Sequence, residues 1–150
     1  MRVSYSQNLD APLADAWAVV RDFGSLLKWV RGGSEGSIRL TGDGVGMLRD
    51  LVLPAVGSVQ HRLDELDDDA HRITYSLTAG KPLGMAEYSV SATLIERNGP
   101  GCTIEWAGEF NAEPGAALDE MAAGLENAYE GMSTLLNELL VGRRSEKEGS

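Results

Sequence analysis

From Ser37 to Ala112 the chain is built of short runs in which apolar residues recur at alternate positions, each closed by a turn of glycine, proline or aspartate. That rhythm belongs to an antiparallel meander. The runs cover 37–42, 45–53, 58–66, 71–78, 85–97 and 102–112, with turns such as Gly42-Asp43-Gly44, Asp67-Asp68-Asp69-Ala70 and Asn98-Gly99-Pro100-Gly101 between them. Pro114-Gly115 ends the pattern. The period then changes to that of a helix: Leu118, Met121, Ala122, Leu125, Tyr129, Met132, Leu136 and Leu139 share one face. The helix predicted over 116–140 has about 25 residues and a length of roughly 37 Å, enough to cross a whole sheet.

The segment before the meander adds one more strand. Val3, Tyr5, Gln7 and Leu9 alternate with Arg2, Ser4, Ser6 and Asn8 over residues 2–9. Asp10 is placed to cap a helix with Pro12 in its first turn and Leu13, Ala16, Trp17 and Val20 on its apolar face. Asp22-Phe23-Gly24 ends it, Ser25–Val30 reads as a second short helix, and 32–36 is loop. The predicted class is α+β: a seven-stranded, strongly curved antiparallel sheet wrapped around a long C-terminal helix, with two short helices after the first strand. One domain is expected over 1–141, followed by a flexible polar tail over 142–150. A sheet that grips a helix in this way often leaves a cavity between them.

Charge narrows the range of partners. The 150 residues carry 13 Lys and Arg against 23 Asp and Glu, a net charge of −10, which repels nucleic-acid phosphates and anionic lipid surfaces. Nucleic acid and membrane insertion are therefore not expected. Cys102 is the sole cysteine, so neither a disulfide framework nor a cysteine metal cluster is available. No apolar run approaches the ~20 residues of a membrane span, and MRVSYSQNLD lacks the apolar core of a signal peptide. A cytoplasmic protein is the expectation.

The stretch LRDLVLPAVGSVQHRL, residues 48–63, combines this apolar pattern with an arginine and a histidine. In VQHRLDEL, alternation places His61 on the same face as Val59 and Leu63. In GMLRDLVL both faces are half apolar, so either Arg49 or Asp50 points inward. Ile73, Tyr75 and Leu77, then Tyr88, Val90, Ala92 and Leu94, then Ile104, Trp106 and Phe110 are inward on the later strands. An inward His61 is either a core histidine satisfied by a hydroxyl or water, or a pocket group that moves a proton near neutral pH. Arg49, if inward, keeps its proton and needs a carboxylate, an enolate or water; if outward, it pairs with Asp50 or Glu65.

Gly124 and Gly131, with Ala128 between them, form a small-residue stripe inside the long helix. Each interior glycine costs about 1 kcal/mol relative to alanine. Either the helix closely approaches the sheet there, or room is left for a ligand. Asp67-Asp68-Asp69 lacks the spacing of a calcium loop and reads as a solvated turn, with His71 exposed beside it. HExxH and GxxxxGK are missing from the sequence, and Gly32-Gly33-Ser34-Glu35-Gly36, which fits GxSxG by letter, falls in the predicted loop and not at a strand-to-helix elbow, so the common hydrolase and nucleotide-binding signatures give no support.

Four stretches in this order and spacing resemble a known group: DAWAVVRDFGSLLKW, GVGMLRDLVLPA, HRLDELDDDAHRITYSL and AGKPLGMAEYSV. Over residues 1–140 the chain resembles the START-like helix-grip (SRPBCC) superfamily, which includes polyketide cyclase/dehydrase-type proteins; its nearest pattern is that of plant abscisic-acid receptors and lachrymatory-factor-synthase-like proteins. The resemblance implies that Leu53-Pro54-Ala55 belongs to a mobile gate loop and the segment around Leu83 to a facing latch. It also implies that Arg49 points into the cavity and that Tyr88 lines it. His61 stands where those relatives carry an acidic residue, and Pro82-Leu83-Gly84-Met85 replaces the receptors' His-Arg-Leu latch, so hormone sensing is not implied.

The leading expectation is a binding protein for a hydrophobic small molecule bearing a carboxylate, carbonyl or phenolic group. Met47, Leu51, Leu53, Pro54, Tyr75, Leu77, Leu83, Val90, Trp106, Met121, Leu125, Tyr129 and Met132 would form its walls. Arg49, His61 and Tyr88 would be the polar groups. The alternative is a cofactor-independent cyclase, dehydratase or isomerase, in which Arg49 steadies an enolate, His61 moves the proton, and Tyr88 or Tyr75 donates a hydrogen bond. Neither a cofactor nor a metal is called for. A module whose gate loops present a surface to a protein partner is a third option, and the oligomeric state, monomer or homodimer, is left open.

Overall fold

Alternating apolar residues need a sheet with one covered face, and the chain supplies that cover last. The computed structural model describes the backbone of residues 1–148 and the side chains of residues 1–143. Its seven strands are β1 (Arg2–Leu9), β2 (Ser37–Thr41), β3 (Leu48–Leu53), β4 (Gly57–Asp67), β5 (Arg72–Ala79), β6 (Met85–Glu96) and β7 (Cys102–Ala112). They form one sheet in the order β1-β7-β6-β5-β4-β3-β2, with every neighbouring pair antiparallel. Helix α1 (Leu13–Val20) and the long helix α2 (Leu118–Glu148) lie on the concave, apolar face. This is the helix-grip arrangement.

Curvature has identifiable causes. Register shifts fall between Gln60 and His61 and between Leu63 and Glu65 where β4 pairs with β5, and between Met85 and Glu87 where β6 pairs with β7. An extra residue on one strand bends and twists it. Two of these irregularities sit beside His61 and Met85, so the places where the sheet bends are also cavity wall.

Four local expectations are corrected. Asp10 does not cap α1; the cap position is Pro12, without a side-chain bond, and Asp10 instead pairs with Asn137 on α2, its backbone N–H donating to Oδ1 at 2.7 Å and its carboxylate accepting from Nδ2 at 3.0 Å. Ser25–Val30 forms only a 3-10 turn, Leu26–Lys28, and a second such turn follows at Gly33–Glu35. The backbone leaves helical geometry at Trp29 because its indole is drawn into the core, where Nε1 donates to Ser25 Oγ at 3.1 Å. The stretch expected as tail from 142 continues α2 as far as Glu148, through Gly142; residues 149–150 lie outside the described residues. β3 also begins at Leu48 rather than 45, because Gly44 and Gly46 take positive φ values of 66° and 96° in the preceding turn.

Behind the cavity Trp106, Tyr129 and Ser133 pack together with their polar atoms matched. Trp106 stacks on Tyr129 of α2 with centroids 4.9 Å apart and planes 8° apart, and its Nε1 donates to Ser133 Oγ at 2.8 Å. Tyr129 fits because Gly108 lies under its hydroxyl; a Cβ at that position would overlap the oxygen. These contacts pin α2 to β7 and fix the far end of the grip.

Candidate functional site

Near the other end the helix and sheet part, leaving a cavity of about 280 Å³. Strands contribute Leu51, Leu53, Val59, His61, Tyr75, Met85 and Tyr88; the turn after β3 contributes Ala55 and Val56; the turn before β6 contributes Pro82 and Leu83. Leu26, Val30 and Arg31 close one side, and α2 closes the other with Gly124, Leu125, Asn127, Ala128 and Met132. The volume equals about ten waters at ~30 Å³ each, near the lower end of the roughly 300–1,000 Å³ usual for small-molecule sites.

Of the residues singled out from the sequence, Leu51, Leu53, His61, Tyr75, Leu83, Tyr88, Leu125 and Met132 line this space. Val90, Trp106 and Tyr129 are buried in the packed core beyond it, while Met47, Leu77 and Met121 are half-buried against the core and do not line it. Pro54 is exposed, with its ring turned toward Gly32. Arg31 and Asn127 escaped the sequence reading. Each looks like an ordinary surface residue; the spacing of Asn127 and Gly131, four apart on α2, was the available sign that both share a face with the small-residue stripe.

Arg49 points inward, as the resemblance implies, but it does not line the cavity. Its guanidinium lies between the rings of Phe23 and Tyr75, with Cζ 4.0 Å and 4.7 Å from their centroids. Nη1 donates to the Phe23 carbonyl oxygen at 3.0 Å and Nη2 donates to His61 Nδ1 at 3.0 Å, while Nε has no partner. No carboxylate among the described residues ion-pairs with it. Burial pulls its pKa down, yet a guanidinium stays charged, and two aromatic faces with a carbonyl take the place of a counterion.

This wiring determines the state of His61. A guanidinium can only donate, so Nδ1 must accept and the proton of the neutral ring sits on Nε2. Burial first, and the Arg49 charge second, push the His61 pKa down to about 3. At neutral pH the ring is uncharged and leans on Tyr75 at a centroid distance of 4.9 Å. His61 thus offers the cavity an N–H donor rather than a base. Tyr88 adds a hydroxyl 2.6 Å from that of Tyr129, and burial holds both phenols protonated.

The family pattern described as polyketide cyclase / dehydrase and lipid transport matches residues 1–140. The chain belongs to that family. Solved structures agree on the fold of this polyketide cyclase/dehydrase family member. XoxI from Bacillus cereus superposes with a TM-score of 0.81 at 20% identity, covering 93% of this chain and 95% of that one. Norcoclaurine synthase from Thalictrum flavum, in complex with dopamine and hydroxybenzaldehyde, superposes with a TM-score of 0.70 at 16% identity over 95% of this chain and 87% of that one. No curated protein matches the sequence. Among the described residues no helix is long and apolar enough to cross a membrane.

Proposed function

We propose that this family member binds a hydrophobic small molecule, carrying a carbonyl, phenolic or carboxylate group, in the cavity between the sheet and α2, and that it does so in the cytoplasm. The observation that carries this reading is the lining: an apolar chamber of about 280 Å³ interrupted by a few convergent polar atoms. Among the described residues His61 Nε2–H has no hydrogen-bond partner, and it is a ready donor to a ligand oxygen. Titration with the neutral fluorophore N-phenyl-1-naphthylamine tests the proposal. Saturable one-site binding is expected, and Val59→Phe, which grows a ring into the chamber, should weaken it more than tenfold while the fold is kept. No saturable binding, or equal binding by the filled variant, overturns it.

One observation favours a second reading, turnover of a carbonyl substrate. A fixed, buried N–H donor next to a cation suits an oxygen on which negative charge develops, as in enolate formation, and the family description includes cyclases and dehydrases. His61 would then stabilise charge while the proton lost from the substrate passes to water at the open mouth, with Arg49 as the positioning residue behind it. Loss of turnover in His61→Ala with fluorophore binding intact supports this reading; unchanged turnover removes it.

A further inference from the structure

The mouth of the cavity carries a cation without a partner. Arg31 is exposed but lines the opening, and among the described residues no carboxylate ion-pairs with its guanidinium. Its guanidinium lies over α2 at Gly131, where an added Cβ would stand 2.9 Å from Nε and 3.2 Å from Cζ, so a side chain at 131 would displace it. Asn127, one turn earlier on the same face, lines the same opening and has no side-chain hydrogen bond among the described residues. Gly124 and Ala128 leave the rest of that helix face low.

A guanidinium lying over a helix face, with an amide lining the same opening and an apolar chamber beneath, is complementary to an amphiphile with one anionic oxygen group. We propose that Arg31 and Asn127 form a carboxylate-binding subsite, so that the ligand enters tail first and leaves its carboxylate at the mouth. This rests on the binding function proposed above and names its ligand class: monocarboxylates with an apolar body small enough for about 280 Å³. The rest of the molecule cannot supply the attraction, because a net charge of −10 repels anions. Arg49 cannot supply it either, being sealed behind Phe23, Tyr75 and His61.

Decanoate and 1-decanol, which share a tail length and differ in the head group, are compared as competitors for N-phenyl-1-naphthylamine. The intact protein should release the fluorophore at a decanoate concentration at least tenfold below that needed with decanol. Arg31→Gln should erase this preference by weakening decanoate alone, Gly131→Ala should reduce it by dislodging the guanidinium, and Arg39→Gln, an exposed charge on β2, should leave it intact. Equal competition by acid and alcohol, a preference that survives Arg31→Gln, or one that falls equally in Arg39→Gln overturns the subsite while the chamber stands. Failure of the fluorophore itself to bind overturns the chamber, and the subsite with it.

Discussion

At the scale of single residues, the pair Arg49 and His61 sets how the interior responds to acid. His61 has a folded pKa of about 3 against an ordinary value near 6.5. Between those values the unfolded chain binds a proton that the folded chain refuses, so stability is full above pH 6.5 and falls as pH is lowered. The slope from this one group approaches about 1.4 kcal/mol per pH unit. Urea unfolding at pH 7 and pH 5 should show the loss, and His61→Gln, which cannot titrate, should flatten it; an equally steep fall in the variant would refute the assignment. Arg49→Met orphans the Phe23 carbonyl and should cost on the order of 1–3 kcal/mol. It should also raise the His61 pKa, though not to its ordinary value, because burial is the larger cause. Nitrogen-detected NMR of the ring reads both the titration and the Nε2–H tautomer, and a proton found on Nδ1 would contradict the wiring. Alternation in GMLRDLVL left Arg49 and Asp50 equivalent, and no sequence pattern announces that two aromatic rings from different elements will close over a guanidinium. His61 was readable as inward because VQHRL alternates cleanly, whereas its protonation depends on a neighbour twelve positions away.

At the scale of elements, the turn before β6 is the strained piece of the cavity wall. Leu83 has φ 55° and ψ 15°, left-handed values that cost a branched residue about 1 kcal/mol, and its side chain is exposed above Gly124 at the mouth. Leu83→Gly releases that strain but adds freedom to the unfolded chain, so stability should stay within about 1 kcal/mol of the parent. Fluorophore binding should nevertheless weaken, since one apolar wall is gone. A large loss of stability with binding untouched would show that the leucine serves the fold instead. The strands and the long helix were legible because each carries a strong period of two or 3.6 over many residues. The second short helix was not: SLLKWV has helical spacing, but burial of the Trp29 indole and the left-handed Gly32 turn the chain away after three residues. Gly124 and Gly131 were visible as exceptions in α2, while the side chains that meet them, Leu83 at one and Arg31 at the other, come from loops whose paths local pattern does not specify.

At the scale of the whole molecule, sheet and helix are joined by a packed end and an open end. Trp106, Ser133 and Tyr129 lock the first, and the loops around Val56 and Leu83 frame the second. A ligand that fills the open end adds its binding free energy to that of folding. At a hundred times its dissociation constant, N-phenyl-1-naphthylamine should stabilise the protein by about 2.7 kcal/mol. For a chain of this size that corresponds to a rise in Tm of roughly 5–10 °C. Thermal scans with and without the fluorophore measure it, and Val59→Phe should show no such rise; an equal shift in that variant would place the fluorophore elsewhere. The overall topology followed from the order of periodic segments, but the cavity did not, because a void is the difference between two surfaces and a sequence reports each surface separately.

Gly131 has one more consequence. The contour that receives the arginine is the bare backbone at one helix position, whereas the chamber walls are side chains from strands, turns and α2 together. On the proposed subsite, changing positions 31 and 131 would alter the preference for a polar end and leave the size of the accepted molecule to the chamber walls. Head group and body would then be adjustable separately on one scaffold.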